Sequence, residues 1–254
     1  MKRLIATLAL LPLMFSPAYA VDTNVSIAVK SKDALFIGEA VGGSYVVVRD
    51  KRNGDVLAEG QTIGNSGDKT KIMGDLKRDA VITDSKHAHF SFSLDLYAPT
   101  PVSIEVSGPY GQMQSMVKAN ADYLLIPGKD YESGNGIIVE LPGFIVDVMA
   151  PAINHKGKFS ADLTLPLQAN VAKLCGCHIE KSGTWPADRY EVEASIYRGD
   201  IFLASVKMEP LDQASLFGAN LKFQEAGTYR VMVTAFDPNT KEGGVDSTTI
   251  TLEP

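Results

Sequence analysis

The two cysteines of the chain, Cys175 and Cys177, stand one glycine apart, and His178 follows at once. Thiolate and imidazole side by side suit Cu(I) or Zn(II), which accept sulfur and nitrogen donors at low coordination number. One short segment does not close such a coordination sphere, so a metal here needs further ligands from elsewhere in the chain. The same two cysteines can instead be oxidised to each other, the ordinary outcome in an exported protein. Cα atoms two apart in an extended strand exceed comfortable disulfide reach, so such a bridge needs Gly176 to turn the backbone. A bridge under strain would be easily reduced and would open a redox role. Inert thiols and intermolecular bonds are the remaining states.

The other histidines are His87, His89 and His155. His87 and His89 are two apart at the start of a strand pattern, and a period of two puts both rings on one face. Phe90, Phe92 and Leu94 take the other face, so the pair is expected to be exposed and able to grip one cation. Two solvated histidines on a polar face are the plainer alternative. His155 joins a mixed site if packing brings it near His178 or the His87 pair. The candidate metal ligands are therefore Cys175, Cys177, His178, His87, His89 and His155, with copper or zinc as the candidate cofactor. Met113 and Met116 add thioethers for Cu(I) or simply pack. Trp185, the single tryptophan, is either a ligand platform or the seal at one end of a sandwich. Residues 237–243 carry oxygen donors at alternate positions, but Lys241 fills a ligand slot and the acidic residue that closes a calcium loop is missing, so they read as a hairpin turn. No nucleophile elbow, phosphate loop, dinucleotide-binding glycine turn or zincin helix occurs. Nothing in sequence ties carboxylates such as Asp50, Glu59 and Asp84 into an acid and base pair.

The elements that must carry these residues are strands. From residue 24 onward, β-branched and aromatic residues alternate with polar ones, and Gly, Asn or Pro separates the runs. Residues 44–49 meet Asn53-Gly54, which supplies the positive φ of a hairpin turn, and 56–62 return. Residues 64–84 read as a long loop with room for one short element. Further runs cover 87–96, 101–107, 114–120, 123–126 and 136–141. The clearest run in the second half is 227–236, with 245–252 closing the domain. Short strands at this spacing suit packed antiparallel sheets. The expected fold class is all-β, two tandem antiparallel β-sandwich domains of immunoglobulin-like type. The expected layout is a signal peptide at 1–20, one sandwich at 21–148, a linker at 149–160 and a second sandwich at 161–254.

The signal peptide follows from Lys2-Arg3, an apolar run from Leu4 to Phe15 and small residues at Ala18 and Ala20, before a cut at Val21. The apolar run is too short to span a bilayer, and no later stretch reaches about 18 apolar residues, so no membrane span is expected. The whole chain of 254 residues has 24 Lys+Arg against 30 Asp+Glu. Residues 1–20 hold two basic and no acidic groups, so the net charge beyond them is −8. That balance argues against nucleic acid and anionic membrane surfaces as main partners.

Two segments carry a resemblance. Residues 44–62, SYVVVRDKRNGDVLAEGQT, resemble the first hairpin of transthyretin-like, carboxypeptidase-regulatory sandwiches. Residues 227–236, GTYRVMVTAF, resemble the penultimate strand of bacterial immunoglobulin-like modules. The resemblance implies a fold and the habit of accessory or ligand-holding modules in exported proteins, and it transfers no catalytic residue. The function expected is an exported, non-enzymatic binding protein, periplasmic or else secreted, that handles copper or zinc or serves as an accessory to a protein partner. The alternative is a structural adaptor stapled by a Cys-Gly-Cys disulfide, and a third is a hydrolase whose site is assembled only by folding.

Overall fold

The computed structural model describes residues 19–75 and 77–254. The expected signal segment therefore lies outside the described residues, apart from Tyr19 and Ala20. No helix among the described residues is long and apolar enough to cross a membrane.

The first half contains β1 (Val21–Ser31), β2 (Tyr45–Asp50), β3 (Val56–Gln61), the single-turn helix α1 (Lys69–Met73), β4 (His89–Leu96), β5 (Thr100–Gly108), β6 (Val117–Leu125) and β7 (Ile137–Leu141). Two sheets face each other, in the orders β4-β1-β7 and β3-β2-β5-β6. Alternation decides which side chains meet. Val46 and Val48 of β2 and Val102, Ile104 and Val106 of β5 are buried against Val25, Ile27 and Val29 of β1. Each such aliphatic side chain contributes about 1.5–3 kcal/mol by leaving water. Gly54, with φ of 81°, makes the expected turn between β2 and β3. The short element expected within 64–84 is α1, which Asp68 caps by accepting from the Lys71 amide at 3.0 Å.

The second half contains β8 (Phe144–Ala150), β9 (His155–Lys158), β10 (Thr164–Lys173), β11 (Glu191–Arg198), β12 (Ile201–Lys207), β13 (Glu209–Pro210), β14 (Leu216–Lys222), β15 (Gly227–Phe236) and β16 (Gly243–Glu253). Its sheets are β13-β14-β10-β8 and β12-β11-β15-β16-β9. The chain is thus an all-β protein of two tandem sandwiches. The stretch read as a linker, 149–160, holds the end of β8 and all of β9. β8 pairs antiparallel with β10, and β9 runs parallel beside β16. β8 enters the second half with Phe144, Ile145 and Val146 buried in succession rather than in alternation. Phe144 and Val146 belong to the second core and Ile145 to the first, so both faces of β8 are covered.

That double burial marks a junction where the two cores touch. Ala34, Leu35, Phe36 and Ile72 of the first half pack into the second core, and Ala172 and Leu174 of the second half pack into the first. Trp185 closes the seam: it is buried, and its indole Nε1 donates to the Asp33 carbonyl at 2.9 Å. The Lys69 ammonium lies 5.6 Å from the centre of its ring. Trp185 is therefore a seal and not an open platform. Replacing it should loosen both halves at once. Trp185→Ala is expected to cost about 3–5 kcal/mol and to split one calorimetric unfolding transition into two, since each sandwich would then melt with less help from the other.

Candidate functional site

The Cys-Gly-Cys segment sits at the junction, just past the end of β10. Leu174 is fully buried, and the chain then turns: the Gly176 amide donates to the Lys173 carbonyl at 2.8 Å, and the Lys173 amide donates to Cys177 at 3.2 Å. Gly176 has φ of 74°, the left-handed conformation that glycine adopts without cost. The turn brings the two Cα atoms to 5.2 Å, and Cys175 and Cys177 are joined as a disulfide. A side chain at position 176 would also strike Val41 of the first sandwich, with 2.7 Å from a Cβ to Cγ1. Gly176 therefore serves the turn and the contact between halves together.

His178 lies on the exposed side of this turn, opposite Ala172. Its Nδ1 is 3.4 Å from the Ser215 hydroxyl, which also accepts from the Ile179 amide at 3.1 Å. His155 is placed in β9, opposite Ile250 of β16. Met113 is exposed in a short 3-10 turn, Met113–Ser115. Among the described residues, no group of three or more His, Cys, Asp or Glu converges as a metal site.

His87 and His89 are brought together, with stacked rings 4.8 Å apart. Their exposure is not as expected: His87 is 8% exposed and His89 half-buried. The reason is the long loop, which folds back along this strand. Asn65 bridges to His87 and Ile63 to His89, and the Phe36 ring lies 4.9 Å from His87. Each Nδ1 meets a carbonyl, that of Asp84 for His87 and that of His87, at 2.8 Å, for His89. Burial pushes the His87 imidazole below its ordinary value, outweighing the Asp84 carbonyl contact that favours the charged form.

Sequence reasoning missed a charge cluster at the same junction, in which Lys173, Glu242 and Asp237 are buried and Arg189 and Asp33 are partly exposed. Lys173 and Glu242 are both fully buried and form an ion pair, with the Lys173 ammonium 4.6 Å from the centre of the Phe144 ring. Glu242 also accepts from the Gly143 amide at 3.0 Å and the Thr240 hydroxyl at 2.9 Å. Arg189 reaches Asp237 at 2.7 Å and Asp33 of the first half at 2.6 Å. Lys32 of the first half donates to the Thr240 carbonyl at 3.0 Å. Burial alone would raise the Asp237 carboxyl, yet the Asn239 amide, Arg189 and Thr240 together hold it below the usual range. Burial raises the Tyr190 phenol well above its ordinary value. A signal for these groups was present: Lys173 continues the inward phase of Leu167, Ala169 and Val171, and Asp237 that of Val231, Val233 and Ala235. A charge that keeps the buried phase of its strand predicts a partner in the core.

The sheets and this junction define the chain as an all-β protein whose two sandwiches meet through shared apolar and charged contacts. No protein-family model matches it, and no curated protein does. Among solved structures, an engineered protein is 14% identical with a TM-score of 0.32, over 51% of this chain and 24% of that one. The fibronectin(III)-like modules of Clostridium thermocellum CbhA are 12% identical with a TM-score of 0.29, over 94% of this chain and 92% of that one. A chimeric titin Z1Z2 carrying a decorin peptide is 10% identical with a TM-score of 0.22, over 92% and 97%. Likenesses this faint add nothing to what the sheets show by themselves.

The His87 shift has a consequence for pH. Because the folded value lies below the unfolded 6.5, unfolding takes up a proton, and stability is full at higher pH and falls as pH drops through about 6.5. Urea titrations should therefore show stability declining between about pH 7 and pH 5, with the decline flattened in His87→Asn. Loss from Asp84 and Asp237, whose carboxyls are held low, belongs to pH below about 4.

Proposed function

We propose that this is an exported, non-enzymatic binding protein of the periplasm that acts as a two-sandwich adaptor for a protein partner. One observation carries the reading: the two cysteines and the charges at the junction are already engaged in holding the fold. Cys175 and Cys177 are bonded to each other, Lys173 faces Glu242, and Arg189 faces Asp33 and Asp237. A disulfide closing so small a loop acts as a local staple. The segment 1–20 supports export. The likeness of 44–62 to transthyretin-like, carboxypeptidase-regulatory hairpins, and of 227–236 to immunoglobulin-like modules, agrees with an accessory role.

A second reading rests on the histidines. Both Nδ1 atoms are taken by carbonyls, so His87 and His89 have Nε2 left as donors from neighbouring rings. Copper or zinc held there would take its remaining ligand from the partner or from solvent.

The two readings separate in one set of measurements on protein recovered from the periplasm. The adaptor reading expects a native mass two hydrogens light, without metal, and one recurrent protein adduct when photo-crosslinkers are placed at Ile201, Phe202 and Leu203, apolar side chains exposed at the start of β12, or at the exposed Val81. The absence of any adduct from either surface would count against it. In the metal reading, one copper or zinc is retained and is lost in His87→Asn/His89→Asn. Cys175→Ser/Cys177→Ser is expected to lower stability by about 1–2 kcal/mol and to leave both the adduct and the metal content unchanged.

A further inference from the structure

We propose that Lys173 and Glu242 condense to an internal amide, so that the second sandwich carries a covalent cross-link between residues 69 positions apart. Both side chains have no solvent exposure, and the Lys173 Nζ donates to Glu242 Oε1. The rest of the Nζ environment is aromatic, with the Phe144 ring centre at 4.6 Å and the Tyr190 ring centre at 6.0 Å. An ammonium has three N–H donors, and among the described residues Glu242 Oε1 is the oxygen it reaches. An amide nitrogen has one donor and no charge, which fits these surroundings better. Keeping the pair ionic costs several kcal/mol of desolvation for each ion, and condensation removes both charges.

The groups around the carboxylate suit the step. The Gly143 amide donates to Oε2 at 3.0 Å, where negative charge develops when Nζ attacks the carboxyl carbon. The Thr240 hydroxyl donates to Oε1 at 2.9 Å, the oxygen that departs. A proton passes from the ammonium to Oε1, the neutral amine attacks Cδ, and the Nζ–Cδ bond forms as the Cδ–Oε1 bond breaks. The oxygen leaves as water with two of the three original ammonium protons, and the third stays on the amide nitrogen. The balance needs no oxidant, reductant or added reactant. The product would tie β10 of one sheet to the turn between β15 and β16 of the other.

The test is the mass of the full chain under denaturing conditions, followed by tryptic mapping. The expected result is a chain lighter by one water than the disulfide-bonded sequence, with trypsin failing to cut after Lys173. A branched peptide joining 159–181 to 242–254 should appear, and Lys173→Arg should return the chain to the mass of its uncondensed sequence. A wild-type mass equal to the disulfide-bonded sequence, with cleavage after Lys173 and a linear 242–254 peptide, would overturn the proposal. So would a water loss that persists in Lys173→Arg. Should that variant fail to fold, the wild-type map decides alone.

Discussion

The junction is organised by a lysine and a glutamate placed where water cannot reach them. Lys173 ends β10 pointing into the core, and a buried ammonium without a partner would cost several kcal/mol or give up its proton. Glu242 answers it, which forces the chain between β15 and β16 to curl back over β10 and hold its turn there. Asp237, Thr240 and Gly143 are recruited to that turn, and Lys32 and Asp33 of the first sandwich reach the same cluster. Arg189 with Asp33, and Lys32 with the Thr240 carbonyl, run from one sandwich to the other, so polar contacts as well as apolar ones join the halves.

Much of the fold was legible because sheets advertise themselves by alternation. β2, β5 and β15 could be placed within a residue or two, and Asn53-Gly54 named its own turn. β8 was harder, since Phe144, Ile145 and Val146 are buried on both faces and so lose the period of two that marks a strand. Its membership of the second half depends on pairing with β10, a long-range choice that no local window contains. The exposure of His87 failed for a related reason. Alternation correctly put it opposite Phe90 and Phe92, but the loop at 63–65 comes back to cover that face.

The cysteine segment shows how a chemical signal and a structural one coincide. Sequence alone left disulfide, metal and redox readings open for Cys175 and Cys177. Geometry ties the outcome to Gly176, whose left-handed φ closes the turn and whose missing side chain makes room for Val41. The buried charges were legible in principle, through the inward phase of Lys173 and Asp237. Their partners were not, because Glu242 lies in a turn where no periodicity applies.

The pairing of β1 sets an order of events in time. β1 lies between β4 and β7, and its parallel contact joins Ile27 to Ile137. A growing or threading chain thus carries its first strand half-satisfied, one edge bare, until residues more than a hundred positions later arrive. The second sandwich waits likewise, since β9 has no neighbour until β16, which runs to Glu253. Contacts this distant close slowly, and bare edges attract other chains meanwhile. A protein built this way is most exposed to mispairing just before its last strand docks.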